Sequence, residues 1–359
     1  MKKKICLIGM GFALLSLLFL PLPLGARGEV KREFIFAQRL FEEEKFSLAA
    51  LQFEKFLDTF PGDPNCDKAQ YGLGMSLWNM EEYERAASAF EILLERYPES
   101  EWVDESLLQL GENFYKLGNF HEAISTYEKF IRDYPQSEHL PKTFYSLAYA
   151  HLRLEDHPEA LKNFRKLKDE FPEFEYLPEV QYRIANLLYL TTRYEEAKKE
   201  YSTFISEYFT PEFLVQAYLE RGDCNFEMGS YTEAAEDFAR AGAHFWRGET
   251  LYYLGQYSEA RQAYQQALEE PEKKWEVEAR WGIAHTYYKE KNYAKAQDSF
   301  RHFIDSFPKS KFLPEAWLRL GDCLYYQNNL AQARKAYQKV IKEHPESRYV
   351  ADSLYGMAY

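Results

Sequence analysis

The chain has 359 residues, 46% of them hydrophobic and 28% charged, with 57 acidic against 44 basic residues for a net charge of −13. So acidic a balance argues against nucleic acid and anionic lipid as main partners. The 17 glycines and 15 prolines fall at regular intervals rather than in linkers or low-complexity tracts, so no separate globular domain is expected.

At the N-terminus, Lys2, Lys3 and Lys4 precede an apolar run from Ile5 to Leu20, followed by Pro21-Leu22-Pro23-Leu24-Gly25-Ala26. A positive start, an apolar core and a small-residue end read as a secretory signal over residues 1–26, cleaved near Ala26. The alternative is an uncleaved anchor helix, but the run is short for the ~20 residues of a span and prolines break its outer end. Beyond Ala26 the balance becomes 41 basic against 57 acidic, a net charge of −16.

From residue 30 onward one pattern recurs. An alanine stands at positions 49, 86, 123, 160, 197, 234, 260, 296 and 333, at intervals of 37 residues except for one of 26 and one of 36. Four residues after each comes an aromatic, from Phe53, Phe90 and Tyr127 to Phe300 and Tyr337; twelve before each comes Gly or Ala, as at Gly74, Gly111 and Gly321. Residues 105–141 show the unit best. Leu107, Leu110 and Phe114 recur at helical spacing before Gly118, and Ile124, Tyr127, Phe130 and Ile131 recur after it. Gly111 and Ala123 are the small residues where the two helices meet. Gly118 suits a left-handed cap, and Asn119 with Glu122 reads as a capping box. Tyr134-Pro135 ends the pair, since proline disfavours the helical region for the residue before it. Nine such registers make a repeat solenoid.

These spacings resemble the tetratricopeptide repeat over residues 30–359. The 37-residue period and the aromatic-Pro-x-Ser closures (Tyr97-Pro98-Glu99-Ser100, Tyr134-Pro135-Gln136-Ser137, Phe307-Pro308-Lys309-Ser310) resemble repeats of bacterial envelope proteins. Examples are the outer-membrane assembly lipoprotein BamD and the Tol–Pal-associated cell-division coordinator. The resemblance implies an all-α, right-handed superhelical solenoid of antiparallel helix pairs, about nine repeats and a partial tenth. No cysteine follows the apolar run at a lipid-attachment position, so the lipid anchor of the BamD-like proteins is not expected here.

Between Ala234 and Ala260 eleven residues are missing. The preferred reading is a shortened second helix ending at Gly242 and a shortened first helix from about Ala243; a single helix through Gly242 would cost only ~1 kcal/mol relative to alanine. This break divides the solenoid into residues 27–242 and 243–359. Ala358 falls in the Gly/Ala register of a tenth unit with no polar cap after it, so the expectation is a chain that continues beyond Tyr359. Cys224 and Cys323 share a register three repeats apart and read as small core residues, with Cys66 in a connector; no intramolecular disulfide is expected.

Catalytic and metal spacings are absent from the sequence, and neither cofactor nor metal is expected. The histidines scatter over different registers, and His121-Glu122 opens a helix. In tetratricopeptide proteins the first helices line a concave face. Mapped onto this chain by resemblance, the contact positions include Trp78, Tyr115, Tyr189, Tyr252, Trp281, Tyr288 and Tyr325. Against this stands the plainer reading that such aromatics pack neighbouring first helices together. The functional expectation is a non-catalytic scaffold, exported to the periplasm, holding a segment of another envelope protein. Membrane association would come only through a partner or an uncleaved signal. The alternatives are a glycan or peptidoglycan binder stacking sugars on the same aromatics, and an enzyme whose catalytic part follows residue 359.

Overall fold

The computed structural model describes residues 26–208 and 211–358. The signal-peptide reading lies outside the described residues. Within them there are nineteen helices and no strand. Up to Leu154 the chain forms one compact unit: α1 (Ala26–Glu42), α2 (Phe46–Thr59), α3 (Cys66–Asn79), α4 (Tyr83–Arg96), α5 (Val103–Leu117), α6 (Phe120–Asp133) and α7 (Leu140–Arg153). From Glu155 a second unit contains α8 (His157–Glu170), α9 (Leu177–Leu190), α10 (Tyr194–Glu207), α11 (Pro211–Glu227), α12 (Tyr231–Ala241) and α13 (His244–Tyr253). It continues with α14 (Tyr257–Glu269), α15 (Glu276–Lys289), α16 (Tyr293–Ser306), α17 (Leu313–Tyr326), α18 (Leu330–Glu343) and α19 (Val350–Ala358). Within each unit every helix packs on the next, as short antiparallel pairs require.

The repeat registers are the core. All nine register alanines are at most 2% exposed, and so are the rings four residues after them. Where the position twelve before is glycine, that ring occupies the space a side chain would need. A Cβ on Gly111 would lie 2.5 Å from the Tyr127 ring. The residues seven after the alanine, such as Phe56, Leu93, Phe130, Leu167, Phe204 and Phe303, are likewise buried.

Each turn between paired helices uses a left-handed residue five before the alanine. Gly118 adopts it with φ 81°, as expected, but Glu44, Glu81, Glu155, Thr192, Lys291 and Asn328 hold the same conformation without being glycine. In the repeat of Gly118, the Gly118 N–H donates to Tyr115 O (3.1 Å) and the Asn119 N–H to Phe114 O (2.9 Å), a Schellman closure. That closure corrects the capping-box expectation. Asn119 makes no side-chain cap bond, and its N–H, which Glu122 was to receive, is already committed to Phe114.

The serine of the Pro-x-Ser closure has a mechanical role. The Ser100 hydroxyl donates to Asp67 (2.7 Å) and Ser137 to Asp104 (2.6 Å), each tying a connector to the start of the preceding repeat's first helix. The same Oγ accepts the N–H two residues on, which turns the chain into the next helix.

The turn at Gly242 is made, not the continuous helix: α12 ends at Ala241, Gly242 has φ 69°, and α13 starts at His244. The two helices have 11 and 10 residues where most others have 14. This shortened pair lies inside the second compact unit, whose border is at Leu154/Glu155. Cys224 and Cys323 are fully buried, as expected of small core residues. Cys66, expected in a connector, instead begins α3 and is buried too, its thiol donating to Phe60 O at 3.1 Å.

Candidate protein-interaction face

The positions eight before the register alanines end the first helices, and the structure gives most of them a packing partner. Trp78 meets Tyr83 edge-on at 5.1 Å, Tyr115 meets Phe120 at 5.4 Å, and Tyr252 meets Tyr257 at 5.6 Å. Tyr189 with Tyr194 and Tyr288 with Tyr293 repeat the motif. Each pair braces the turn between the two helices of one repeat. The residues remain half-buried, so part of each side chain stays at the surface. Tyr325 has Leu330 at the bracing position and is 38% exposed.

Trp281 is placed differently. It lies flat on Phe312 at 5.0 Å with 10° between planes, and touches Phe300 and Phe303. Its packing is that of a residue joining consecutive repeats.

A second layer of polar groups, not picked out by sequence reasoning, sits against these tyrosines. Where the buried ring after the alanine is tyrosine, its hydroxyl needs a partner, because an unpaired buried hydroxyl is costly. Eleven residues before the alanine the sequence supplies a carboxylate: Tyr127 donates to Glu112 (3.1 Å), Tyr264 to Glu249 (2.6 Å) and Tyr337 to Asp322 (3.0 Å). For Tyr201 the acceptor is Glu220 of the following repeat, 9% exposed, which also accepts from Tyr182, Asn186 and Gln216. Reading the two registers together would have revealed the pairing, since three of the four tyrosine repeats carry the acid. Burial pushes Glu249 above the usual carboxylate range, and burial with Glu220 and Glu227 nearby takes Asp223 to about 6. Burial, then Asp223, raises the Tyr189 phenol to about 12.

In the second unit these groups converge. Tyr288 donates to Asp322 (3.1 Å), and the Arg319 guanidinium lies 5.3 Å from the Tyr288 ring while bonding Asp322 (3.0 Å) and Glu315 (3.4 Å). His285, between Trp281 (4.4 Å) and Phe300 (5.7 Å), is held to about 4 by burial, against the attraction of Glu315. Asp322, Tyr325, Tyr337 and Tyr355 line an open cleft of about 430 Å³. In the first unit Glu112, Tyr115, Tyr127, Tyr145, Ser146 and Tyr149 line one of about 200 Å³. Tyr115 thus belongs to one lined surface and Tyr325 to another, while Tyr288 reaches the second through its bond to Asp322.

Among the described residues no group of three or more His, Cys, Asp or Glu is placed to hold a metal, and no helix is long and apolar enough to cross a membrane.

Residues 78–145 and 137–251 match the family described as outer membrane lipoprotein. Tetratricopeptide-repeat families match residues 36–101, 241–270, 278–310 and 315–347. No curated protein sequence matches the chain. Among solved structures, the C-terminal part of a repeat-containing protein from Cytophaga hutchinsonii is 16% identical with a TM-score of 0.50, covering 79% of this chain and 98% of that one. The Naa15/Naa10 complex bound to HypK-THB is 15% identical with a TM-score of 0.51, covering 92% of this chain and 60% of that one. A tetratricopeptide-repeat protein from Parabacteroides merdae is 15% identical with a TM-score of 0.46, covering 72% and 99% respectively. Buried alanine and aromatic registers, a left-handed turn in every pair and the tetratricopeptide-repeat family matches lead to one family: the chain is a tetratricopeptide-repeat protein.

Proposed function

We propose that the chain is a non-catalytic adaptor of the bacterial cell envelope that holds a segment of a partner protein along the first helices. The tetratricopeptide fold is a protein-interaction scaffold, and the observation that carries the finer reading is the tyrosine row at the ends of the first helices. Tyr252, Tyr288 and Tyr325 occur at one register of α13, α15 and α17, each with a carboxylate nearby. Tyrosine suits a half-wet contact, giving large area with a polar tip. Tyr115 and Tyr189 extend the set, and Trp78 contributes from α3; Trp281 is better assigned to packing between repeats. The envelope assignment rests on the match of residues 78–251 to an outer membrane lipoprotein family and on the signal-like N-terminus.

The test is recovery of partners from envelope extract by the wild-type chain and by a Tyr252/Tyr288/Tyr325 triple alanine variant whose helicity is first checked by circular dichroism. Loss of partners by the folded variant is the expected result, since truncating one true anchor costs at least ~2 kcal/mol of binding. Equal recovery would reject the tyrosine row as the contact.

A further inference from the structure

The cleft in the first unit is a cage with a carboxylate in its wall. Tyr115, Tyr145 and Tyr149 present rings around about 200 Å³ of open space, the last two 4.8 Å apart. Glu112 lines the same space. It accepts both the Tyr127 and the Ser146 hydroxyls through Oε1, so Oε2 keeps its lone pairs for an incoming donor. Aromatic faces attract cations, and a carboxylate among them selects a group that is charged and carries N–H donors.

The second unit supplies an internal comparison. Arg319 stands fourteen residues before its register alanine, the position Ser146 holds in its own repeat. Its guanidinium lies 5.3 Å from Tyr288, which has the register of Tyr115, and bonds an acid, Asp322, in the register of Tyr149. At α15 and α17 the chain therefore fills with its own arginine the position that Ser146, being small, leaves open.

We propose that the Glu112/Tyr115/Tyr145/Tyr149 cage receives an arginine side chain of the partner segment, as a recognition point separate from the tyrosine row of the second unit. The inference rests on the adaptor reading above but not on the second-unit residues that test it. A flat guanidinium suits a space walled by tyrosine rings better than a compact ammonium, because it stacks and donates in one plane at once.

The probe is a short peptide, acetylated and amidated, with one arginine among glycine and serine, set against the same peptide with citrulline, titrated into the full chain by NMR with labelled tyrosine. Citrulline keeps the shape and removes the charge. The arginine peptide is expected to shift Tyr115, Tyr145 and Tyr149 resonances and to bind at least tenfold more tightly than the citrulline peptide. Glu112→Gln, which keeps an acceptor for Tyr127 and Ser146, should weaken it at least tenfold, and Ser146→Arg should abolish it by filling the cage from within. Equal binding of the two peptides, no binding to the wild type, or binding unaffected by folded Ser146→Arg would each overturn the proposal. If partners are recovered from extract while the arginine peptide does not bind, the cage fails and the adaptor reading stands. If the peptide binds while the triple variant recovers partners as well as the wild type, the second-unit tyrosine row fails and the cage stands.

Discussion

Tyr115 and Tyr288 occupy one register of the repeat, brace their turns in the same way, and yet face opposite surroundings. Around Tyr115 are Glu112, Tyr127 and a small Ser146; around Tyr288 the matching positions are His285, Phe300 and Arg319. One set leaves a negative group beside open space, the other a neutral histidine beside an arginine of the chain itself. Register determines where a first-helix tyrosine stands. What it can do is decided by the residue one repeat further on, which either opens or occupies the space in front of it.

The largest test of that contrast compares two aromatics fifteen residues before their alanines. Trp281 is stacked flat between repeats, whereas Tyr145 borders an open cleft. Trp281→Ala should cost about 3 kcal/mol or more, the usual range for a large aromatic removed from packing. Tyr145→Ala should cost about 1 kcal/mol, because water already reaches one side. Urea denaturation of both variants checks the order; equal costs would mean the cleft is as tightly packed as the inter-repeat joint.

His285 sharpens the contrast through pH. Its folded value of about 4 lies below the ~6.5 of an unfolded chain, so between those values the unfolded state binds more protons. Its contribution is complete above the unfolded value and is lost as pH falls from about 6.5 through 4. The groups facing it act in both directions: Glu315 favours the proton, and Arg319 and Lys289 oppose it. Asp223, raised to about 6, works with the opposite sign, its contribution being complete below the unfolded value of about 4 and lost as pH rises from there through 6. The readout is therefore a difference: between pH 7.5 and 5, wild type should lose about 2 kcal/mol more than His285→Phe, which keeps the ring against Trp281. Identical pH profiles would show that the histidine is solvated.

Much of the fold was legible because it rests on residues that cannot be exchanged freely. Ala123 and Tyr127 recur as small and aromatic in every repeat since the helix pair has no other way to close. The turn at Gly242 was legible for the same reason, as only a turn keeps both neighbouring pairs antiparallel. The site was less legible. Trp281 and Tyr325, fifteen and eight residues before their alanines, were both counted as contact positions, and their different roles depend on Phe312 and on the missing ring at Leu330, contacts one repeat or one helix away. The acids at Glu112, Glu249 and Asp322 were hidden by the abundance of carboxylates; only the demand of a buried tyrosine hydroxyl distinguishes them.

Emptying the occupied position is a gentler perturbation. Arg319→Met keeps most of the apolar stem and removes the guanidinium, leaving Glu315 and Asp322 without their bridge, at a cost of about 1 kcal/mol. It should also convert the surroundings of Tyr288 into a second acidic, aromatic opening. Titration calorimetry with the arginine peptide should then report two sites in the variant where wild type has one. A single site in both would show that Arg319 is not standing in for a ligand.

The smallest effect returns the comparison to the backbone, between two repeats of the first unit. Gly118 and Glu81 hold the same left-handed turn, with φ 81° and 62°. For an L-residue that conformation costs roughly 1–2 kcal/mol, while glycine loses roughly 0.5–1 kcal/mol of chain entropy on folding. Nothing lies within 4 Å of a Cβ built on Gly118, so Gly118→Ala meets backbone strain alone and should lose about 1 kcal/mol. Glu81→Gly exchanges strain for entropy and should change stability by less than about 0.5 kcal/mol. If Glu81→Gly instead destabilises by as much as Gly118→Ala, the Glu81 side chain supplies an interaction that the turn geometry does not require. The two repeats would then be held by different means, despite sharing every register.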